Sequence, residues 1–178
     1  MADARRALGL LYLKWKRPEK ALEQYKIAGS VQEELVQKYP KNAIYLSNLS
    51  TSYDRIGDVH KSEKKFDEAV PQYEKAIAII RDKLIPNDPD NIQWKAALSH
   101  EYKAIHNLAE AYGIVGDALK AEGEKGNNQD NLQQALEAYK KGFAVIETIL
   151  SRDPKSGLDR DLEVMQEKIQ DLKKSMPQ

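Results

Sequence analysis

The strongest constraint on this chain is that it repeats itself. The segment Asn48-Leu49-Ser50-Thr51-Ser52-Tyr53-Asp54-Arg55-Ile56-Gly57-Asp58 returns as Asn107-Leu108-Ala109-Glu110-Ala111-Tyr112-Gly113-Ile114-Val115-Gly116-Asp117, at an offset of 59 residues. Asn, Leu, Tyr, Gly and Asp coincide, and Ser/Ala and Ile/Val replace one another conservatively. A second element occurs three times: Ala21-x3-Tyr25-x2-Ala28, Ala69-x3-Tyr73-x2-Ala76 and Ala135-x3-Tyr139-x2-Gly142. A proline follows each tyrosine at a near-constant distance, as Pro40, Pro89 and Pro154. A chain built this way buries its apolar surface by stacking copies on one another. Small residues such as Gly9, Gly57, Ala21, Ala69 and Ala135 let paired helices approach, while Tyr and Leu fill the spaces between pairs.

The copies read as helices. Leu8, Leu11, Tyr12 and Trp15 recur at helical spacing. So do Tyr45, Leu49, Tyr53 and Ile56, then Val70, Tyr73, Ile77, Ile80 and Leu84, and later Trp94, Leu98, Tyr102, Ile105, Leu108 and Tyr112. No stretch sustains a period of two, so strands are not expected. Pro40, Pro86, Pro89 and Pro154 each follow an apolar stripe, where a helix should already have ended. Gly126 to Asn131 contains no apolar side chain and predicts an exposed loop, with Asp130 or Asn131 capping the next helix. Pro71 sits inside an otherwise helical run. A helix starting near Asp67 and bending at Pro71 keeps Ala69 and Tyr73 in repeat register. The fold class predicted is all-α.

Composition narrows the function. Absence of cysteine removes disulfides, cysteine-ligated zinc, iron–sulfur clusters and thiol chemistry. Lys plus Arg (28) balance Asp plus Glu (28), so no overall field draws the molecule to nucleic acid or anionic lipid. The one basic concentration, Arg5, Arg6, Lys14, Lys16, Arg17 and Lys20, reads as a solvated helix face. No apolar run reaches the ~20 residues of a membrane helix, and the N-terminus lacks a signal-peptide core. The expectation is a cytoplasmic protein with neither nucleic acid nor membrane as partner.

These motifs resemble the tetratricopeptide repeat family. Leu8-Gly9-x2-Tyr12 with Ala21, Tyr25 and Ala28 sits at the family's own intervals. The phrases Asn48-Leu49-Ser50 and Asn107-Leu108-Ala109 are similar to its longer-period branch, which includes kinesin light chains and many bacterial repeat proteins. The resemblance implies a right-handed superhelix of antiparallel helix pairs forming one domain over residues 1–178. Repeat 1 would span about 2–40, repeat 2 about 42–88 and repeat 3 about 91–153. A capping helix would follow over about 156–175, with Leu158, Leu162, Met165, Ile169 and Leu172 on one face.

What the resemblance implies is binding: an adaptor or scaffold whose concave groove takes a peptide or partner protein. Helical spacing extrapolates the inner stripe to Asn48, Thr51, Arg55, Asp58 and Lys61 in the second copy, and to Asn107, Glu110, Ile114, Asp117 and Lys120 in the third. The first copy adds Arg6, Leu10 and Lys14. An inward Asn can donate to and accept from a peptide backbone at once, or equally tie adjacent helices together; Asn48 and Asn107 stand open between these roles. Some relatives clamp a chaperone's C-terminal carboxylate. Lys103 and Asn107 have suitable spacing, but Asp54 and Asp58 hold the corresponding places one copy earlier and would repel it. An alternative is a self-associating or regulatory segment of a larger protein, such as a bacterial signalling enzyme, with a homo-oligomer as its outcome.

Catalysis and cofactors find no pattern. His100 and His106 are six apart and diverge on a helix, so His100-Glu101-x4-His106 cannot form an H-E-x-x-H zinc site. His106 and Glu110 share a face, but the sequence supplies no third ligand nearby. Asp88-Pro89-Asp90-Asn91 lacks the Gly and Glu of a calcium loop, and no Gly-rich phosphate loop occurs. The histidines read as helix-surface or groove residues. The chain is therefore expected to be a non-enzyme with no metal and no cofactor.

Overall fold

The computed structural model describes residues 2–126 and 128–176, and every regular element among them is helical. In chain order these are α1 (Ala2–Lys14), α2 (Pro18–Lys38), α3 (Ala43–Ser62) and α4 (Phe66–Ile79), which runs into a widened π turn over Ile80–Leu84. A short turn α5 (Ile85–Asn87) closes that arm; α6 (Ile92–Gly126), α7 (Gln129–Arg152) and α8 (Asp159–Ser175) follow. The molecule is all-α, as the periodicity requires, and consecutive helices pack on one another. Two compact units divide within α6: residues 1–101 and residues 102–178.

One device recurs in every copy. A Cβ on Gly9 would lie 2.5 Å from the Tyr25 ring, one on Gly57 2.8 Å from Tyr73, and one on Gly116 2.4 Å from Tyr139. Only a bare backbone allows these rings to lie flat against the first helix of each pair, and the three tyrosines are buried. The glycine and tyrosine are 16 residues apart in copies 1 and 2 and 23 apart in copy 3, so the lengthening of copy 3 lies in the arms of its hairpin.

The tyrosine hydroxyls show where the copies differ. Tyr73 donates to Asp58 at 2.9 Å and Tyr139 to Asp117 at 2.6 Å, each acceptor being the residue after the paired glycine. Copy 1 carries Leu10 there, and the buried Tyr25 hydroxyl finds no hydrogen-bond partner among the described residues.

In unit 1 the turns after α1 and α3 are built alike. Lys16 and Lys64 adopt φ of 55° and 59°, and the next residue donates back five positions, Arg17 to Tyr12 and Lys65 to His60, both at 2.9 Å. This is a left-handed helix stop of the kind glycine usually supplies. Asn42 caps α3 by accepting from Ile44 and Tyr45. Around Val36, Leu46, Leu49, Ile80 and Leu84 a core forms against which Trp94, Ala97 and Leu98 of α6 pack.

α4 begins at Phe66, next to the expected start, and passes through Pro71 as helix. Two expectations change. Pro86 does not lie beyond a finished helix: the turn before it opens to i→i+5 spacing, with Ile85 donating to Ile80, and Pro86 sits in the turn that follows. A regular helix would drive its ring into the carbonyl four residues back, and the wider turn accommodates it. The Asn-rich stretch is mostly helix. Asn128 caps α7, accepting from Asp130 and Asn131, while Asp130 and Asn131 lie inside the helix; Asn127 is outside the described residues. A side chain two or three positions ahead of those amides reaches them best.

In unit 2, α8 packs along α7, and Met165 is its knob. Met165 lies 3.0 Å from where a Cβ on Gly113 would be and 3.2 Å from that of Gly142. Copy 3 carries Gly142 where the other copies carry Ala28 and Ala76, and a Cβ there would crowd Met165 of α8 and Tyr112 and Ala109 of α6 alike. Leu172 of α8 is buried against Leu132, Leu136 and Tyr139.

Candidate functional site

Each unit contains a cleft beside the first helix of a repeat. In unit 1 a cleft of about 250 Å³ is bounded by Ser47, Ser50, Thr51, Asp54 and Arg55 of α3, by Ile80 and Leu84 of the π turn, and by Trp94, Ala97, His100 and Glu101 of α6. Residues 94, 97 and 101 recur at helical spacing, which turns them to one side of α6.

The cleft is acidic at its floor. Asp54 and Glu101 are 5% and 4% exposed, and Asp54 Oδ1 and Glu101 Oε2 have no hydrogen-bond partner among the described residues. Burial, then repulsion from Asp54 and Asp58, pushes the Glu101 carboxyl up to about 9. Burial and Asp58 also raise Asp54, against the opposing pull of Arg55 and His100. His100 Nδ1 lies 3.9 Å from Asp54 Oδ1, and Arg55 Nε lies 3.8 Å from the other oxygen, Oδ2.

The extrapolated stripe lies partly here. Thr51 and Arg55 line the cleft. Asp58 accepts from Arg55, Lys61 and Tyr73 at 3.2, 3.2 and 2.9 Å, which joins three candidate residues to the repeat tyrosine. Asn48 Oδ1 accepts from both terminal nitrogens of Arg6 at 3.0 Å, and its backbone oxygen accepts from Arg6 at 3.2 Å. The Asn48 carbonyl therefore ties α3 to α1. Leu10 and Lys14 lie exposed on α1.

In unit 2 a cleft of about 310 Å³ opens between α6 and α8, lined on α6 by His106, Glu110, Ile114 and Asp117 and on α8 by Asp161, Val164, Met165 and Lys168. Three extrapolated residues, Glu110, Ile114 and Asp117, share this wall. Ile114 is 62% exposed and Val164 39%, so the rim is apolar and open. Asp117 binds Lys168 at 2.6 and 2.7 Å and Tyr139 at 2.6 Å. Burial opposes its charge, but the Lys168 and Tyr139 hydrogen bonds prevail and hold it below the usual carboxylate range. Lys120 lies 3.9 Å from Glu124, and Asn107 is exposed on α6.

The histidines separate. His106 Nδ1 pairs with Asp161 of α8 at 2.8 Å, a partner beyond the reach of sequence spacing. His60 is buried in α3 rather than on its surface, and burial lowers its pKa. His100 joins Asp54 and Glu101, whose ligand atoms all lie within 4.8 Å of one another. Local spacing around His100 misses that cluster because one member comes from α3, 46 residues earlier. The signal that could have found it was Asp54 itself, a charged residue on the repeat's inner side.

Residues 50–83 match the family model described as tetratricopeptide repeat. The match spans the Gly57–Tyr73 pair, Asp54, Arg55, Asp58 and Lys61, so the cleft-forming part of α3 lies in the stretch similar to that family. No curated protein matches the chain. No helix among the described residues is long and apolar enough to cross a membrane.

Proposed function

We propose that the chain is a protein-interaction module, an adaptor or scaffold that receives a peptide or partner protein along the inner stripes of its repeats. One observation carries the reading. Thr51 and Arg55 in one unit, and Glu110, Ile114 and Asp117 in the other, were extrapolated from helical spacing and line the two clefts described above. The tetratricopeptide match supports the same general activity, since repeats of that kind serve as interaction surfaces. The longer-period spacing favours the branch that includes kinesin light chains. We assign no catalytic role.

Bait pull-down from a lysate, read by mass spectrometry, tests this. The native chain is compared with Ile114→Asp and Thr51→Arg single variants of matched helicity. Partners held by the native chain and lost from either variant support the reading. Identical partner sets on all three baits, or none on any, overturn it. Retrieval of the chain alone moves self-association to the front.

A further inference from the structure

The unit 1 cleft is more selective than a general peptide surface. The floor of the unit 1 cleft holds two buried acidic side chains, Asp54 and Glu101, each with an oxygen that has no hydrogen-bond partner among the described residues, beside an imidazole nitrogen. Buried acceptors without donors are costly, and such a site is completed by whatever brings positive charge or N–H groups to it. We propose that this cleft is an anchor for a primary ammonium group, a lysine side chain presented by the partner protein, a reading that rests on the interaction-module assignment.

The spacing of the acceptors can be set against that of an ammonium and of a metal ion. Three acceptors at ~2.8 Å around a tetrahedral N–H₃⁺ lie about 4.6 Å apart, whereas ligands at ~2.1 Å around tetrahedral zinc lie about 3.4 Å apart. The Asp54, His100 and Glu101 atoms lie within 4.8 Å of one another, with the His–Asp pair at 3.9 Å. These separations fall between the two spacings, so it is the apolar walls that favour an ammonium on a methylene stem.

The walls suit the rest of the side chain. Ile80, Leu84, Trp94 and Ala97 face the same space, and 250 Å³ is room for about eight waters at ~30 Å³ each, ample for a four-carbon stem. A lysine entering this way buries its methylenes against aromatic and aliphatic groups and brings its charge to the floor. Arg55 does not fill the role, because its Nε faces Asp54 Oδ2 and its Nη1 is bonded to Asp58, leaving Oδ1 uncovered.

The test uses the full chain carrying Trp15→Phe, which leaves Trp94 as the one tryptophan and as reporter of the cleft. Probes are identical nonapeptides of Ala, Ser and Leu with a central lysine, acetyl-lysine or glutamate, together with Nα-acetyl-lysine methylamide at millimolar concentration. The lysine peptide is expected to bind at least tenfold more tightly than the acetyl-lysine peptide, with a shift in Trp94 emission. The Asp54→Asn/Glu101→Gln variant, shown folded by circular dichroism, is expected to abolish that tenfold preference. Equal binding of the lysine and acetyl-lysine peptides overturns the anchor while leaving the interaction module standing. So does a lysine preference that survives in the double variant. No Trp94 response to any lysine probe overturns the anchor, and the pull-down then decides the broader reading separately. Micromolar zinc or manganese binding that depends on Asp54 and Glu101, without lysine preference, replaces the anchor with a metal site.

Discussion

Replacing Glu101 with glutamine removes a group whose ionisation the fold opposes, and the effect can be worked from its position. The carboxyl is pushed up to about 9 from an ordinary 4.5, by burial first and by Asp54 and Asp58 after it. An acid raised on folding holds its proton more tightly in the native state than in the unfolded one. Its contribution to stability is therefore whole below pH 4.5 and is lost as pH rises from 4.5 through about 9. One proton costs about 1.4 kcal/mol per pH unit, so Glu101 takes about 3 kcal/mol from the native state between pH 4.5 and 7. Glutamine has the same shape, can donate to the uncovered Asp54 Oδ1, and does not titrate. Glu101→Gln is thus expected to match the native chain near pH 4.5 and to exceed it by up to about 3 kcal/mol at pH 7. Urea unfolding at half-unit steps from pH 4.5 to 8, followed by tryptophan emission, is the assay; both tryptophans, Trp15 and Trp94, lie in unit 1. Buried His60, lowered on folding, contributes the opposite slope below pH 6.5, and Asp54 adds one of the same sign. The readout is therefore the variant-minus-native difference, in which the His60 contribution cancels. A difference that stays flat across this range, or a variant less stable at pH 7, refutes the burial account of Glu101.

The repeat geometry yields three further predictions. Gly57→Ala places a methyl 2.8 Å from the Tyr73 ring and is expected to lower stability by about 1–3 kcal/mol, whereas Gly29→Ala, whose nearest neighbour is 3.8 Å away, is expected to raise it by up to about 1 kcal/mol. Equal effects in thermal melts would mean the close approach is not limiting. Leu10→Asp offers the Tyr25 hydroxyl the acceptor that Asp58 and Asp117 give in the other copies; with Leu10 already 48% exposed, a gain of about 1 kcal/mol is expected in urea unfolding. Loss of stability there would show that the buried hydroxyl is not what limits copy 1. Lys64→Gly relieves a left-handed backbone and is expected to stabilise by about 0.5–1 kcal/mol, while Lys61→Gly in the helix just before it costs about 1 kcal/mol.

Legibility in the sequence tracks the range of the interactions. Helices and their pairing were legible because each copy repeats Gly, Ala and Tyr at fixed intervals, and those residues are the ones in closest contact. The role of Gly142 was not, since the residues that crowd it, Met165 and Tyr112, lie on two other helices, 23 positions later and 30 earlier. Pro86 misled for a local reason. Proline forbids one hydrogen bond, but a helix can continue past it when its other groups remain satisfied or its turn widens. At the clefts, side-chain direction was readable for Thr51, Arg55, Glu110, Ile114 and Asp117, whereas the pairing of Asn48 with Arg6 and of His106 with Asp161 was not. Spacing says which way a residue faces and leaves open what it meets.

Asp54 and Gly113 make that distinction concrete, because they hold the same place in two copies, 59 residues apart. In copy 3 the place is bare and Met165 of the closing helix fills it, so the position is used up in packing. Copy 2 carries a carboxylate there, and α6 brings to its cleft Trp94 and Ala97, His100, which eases the charge of Asp54, and Glu101, which Asp54 in turn repels. Of these, Glu101 is the one that neither covers Asp54 with apolar surface nor offsets its charge. Burial of Glu101 beside Asp54 and Asp58 opposes its charge and works against the fold, the kind of local conflict that marks functional positions. Asp54→Gly/Glu101→Leu is therefore expected to produce a more stable unit 1 that has lost its lysine preference. Stability unchanged alongside intact lysine binding would detach the acidic floor from both roles.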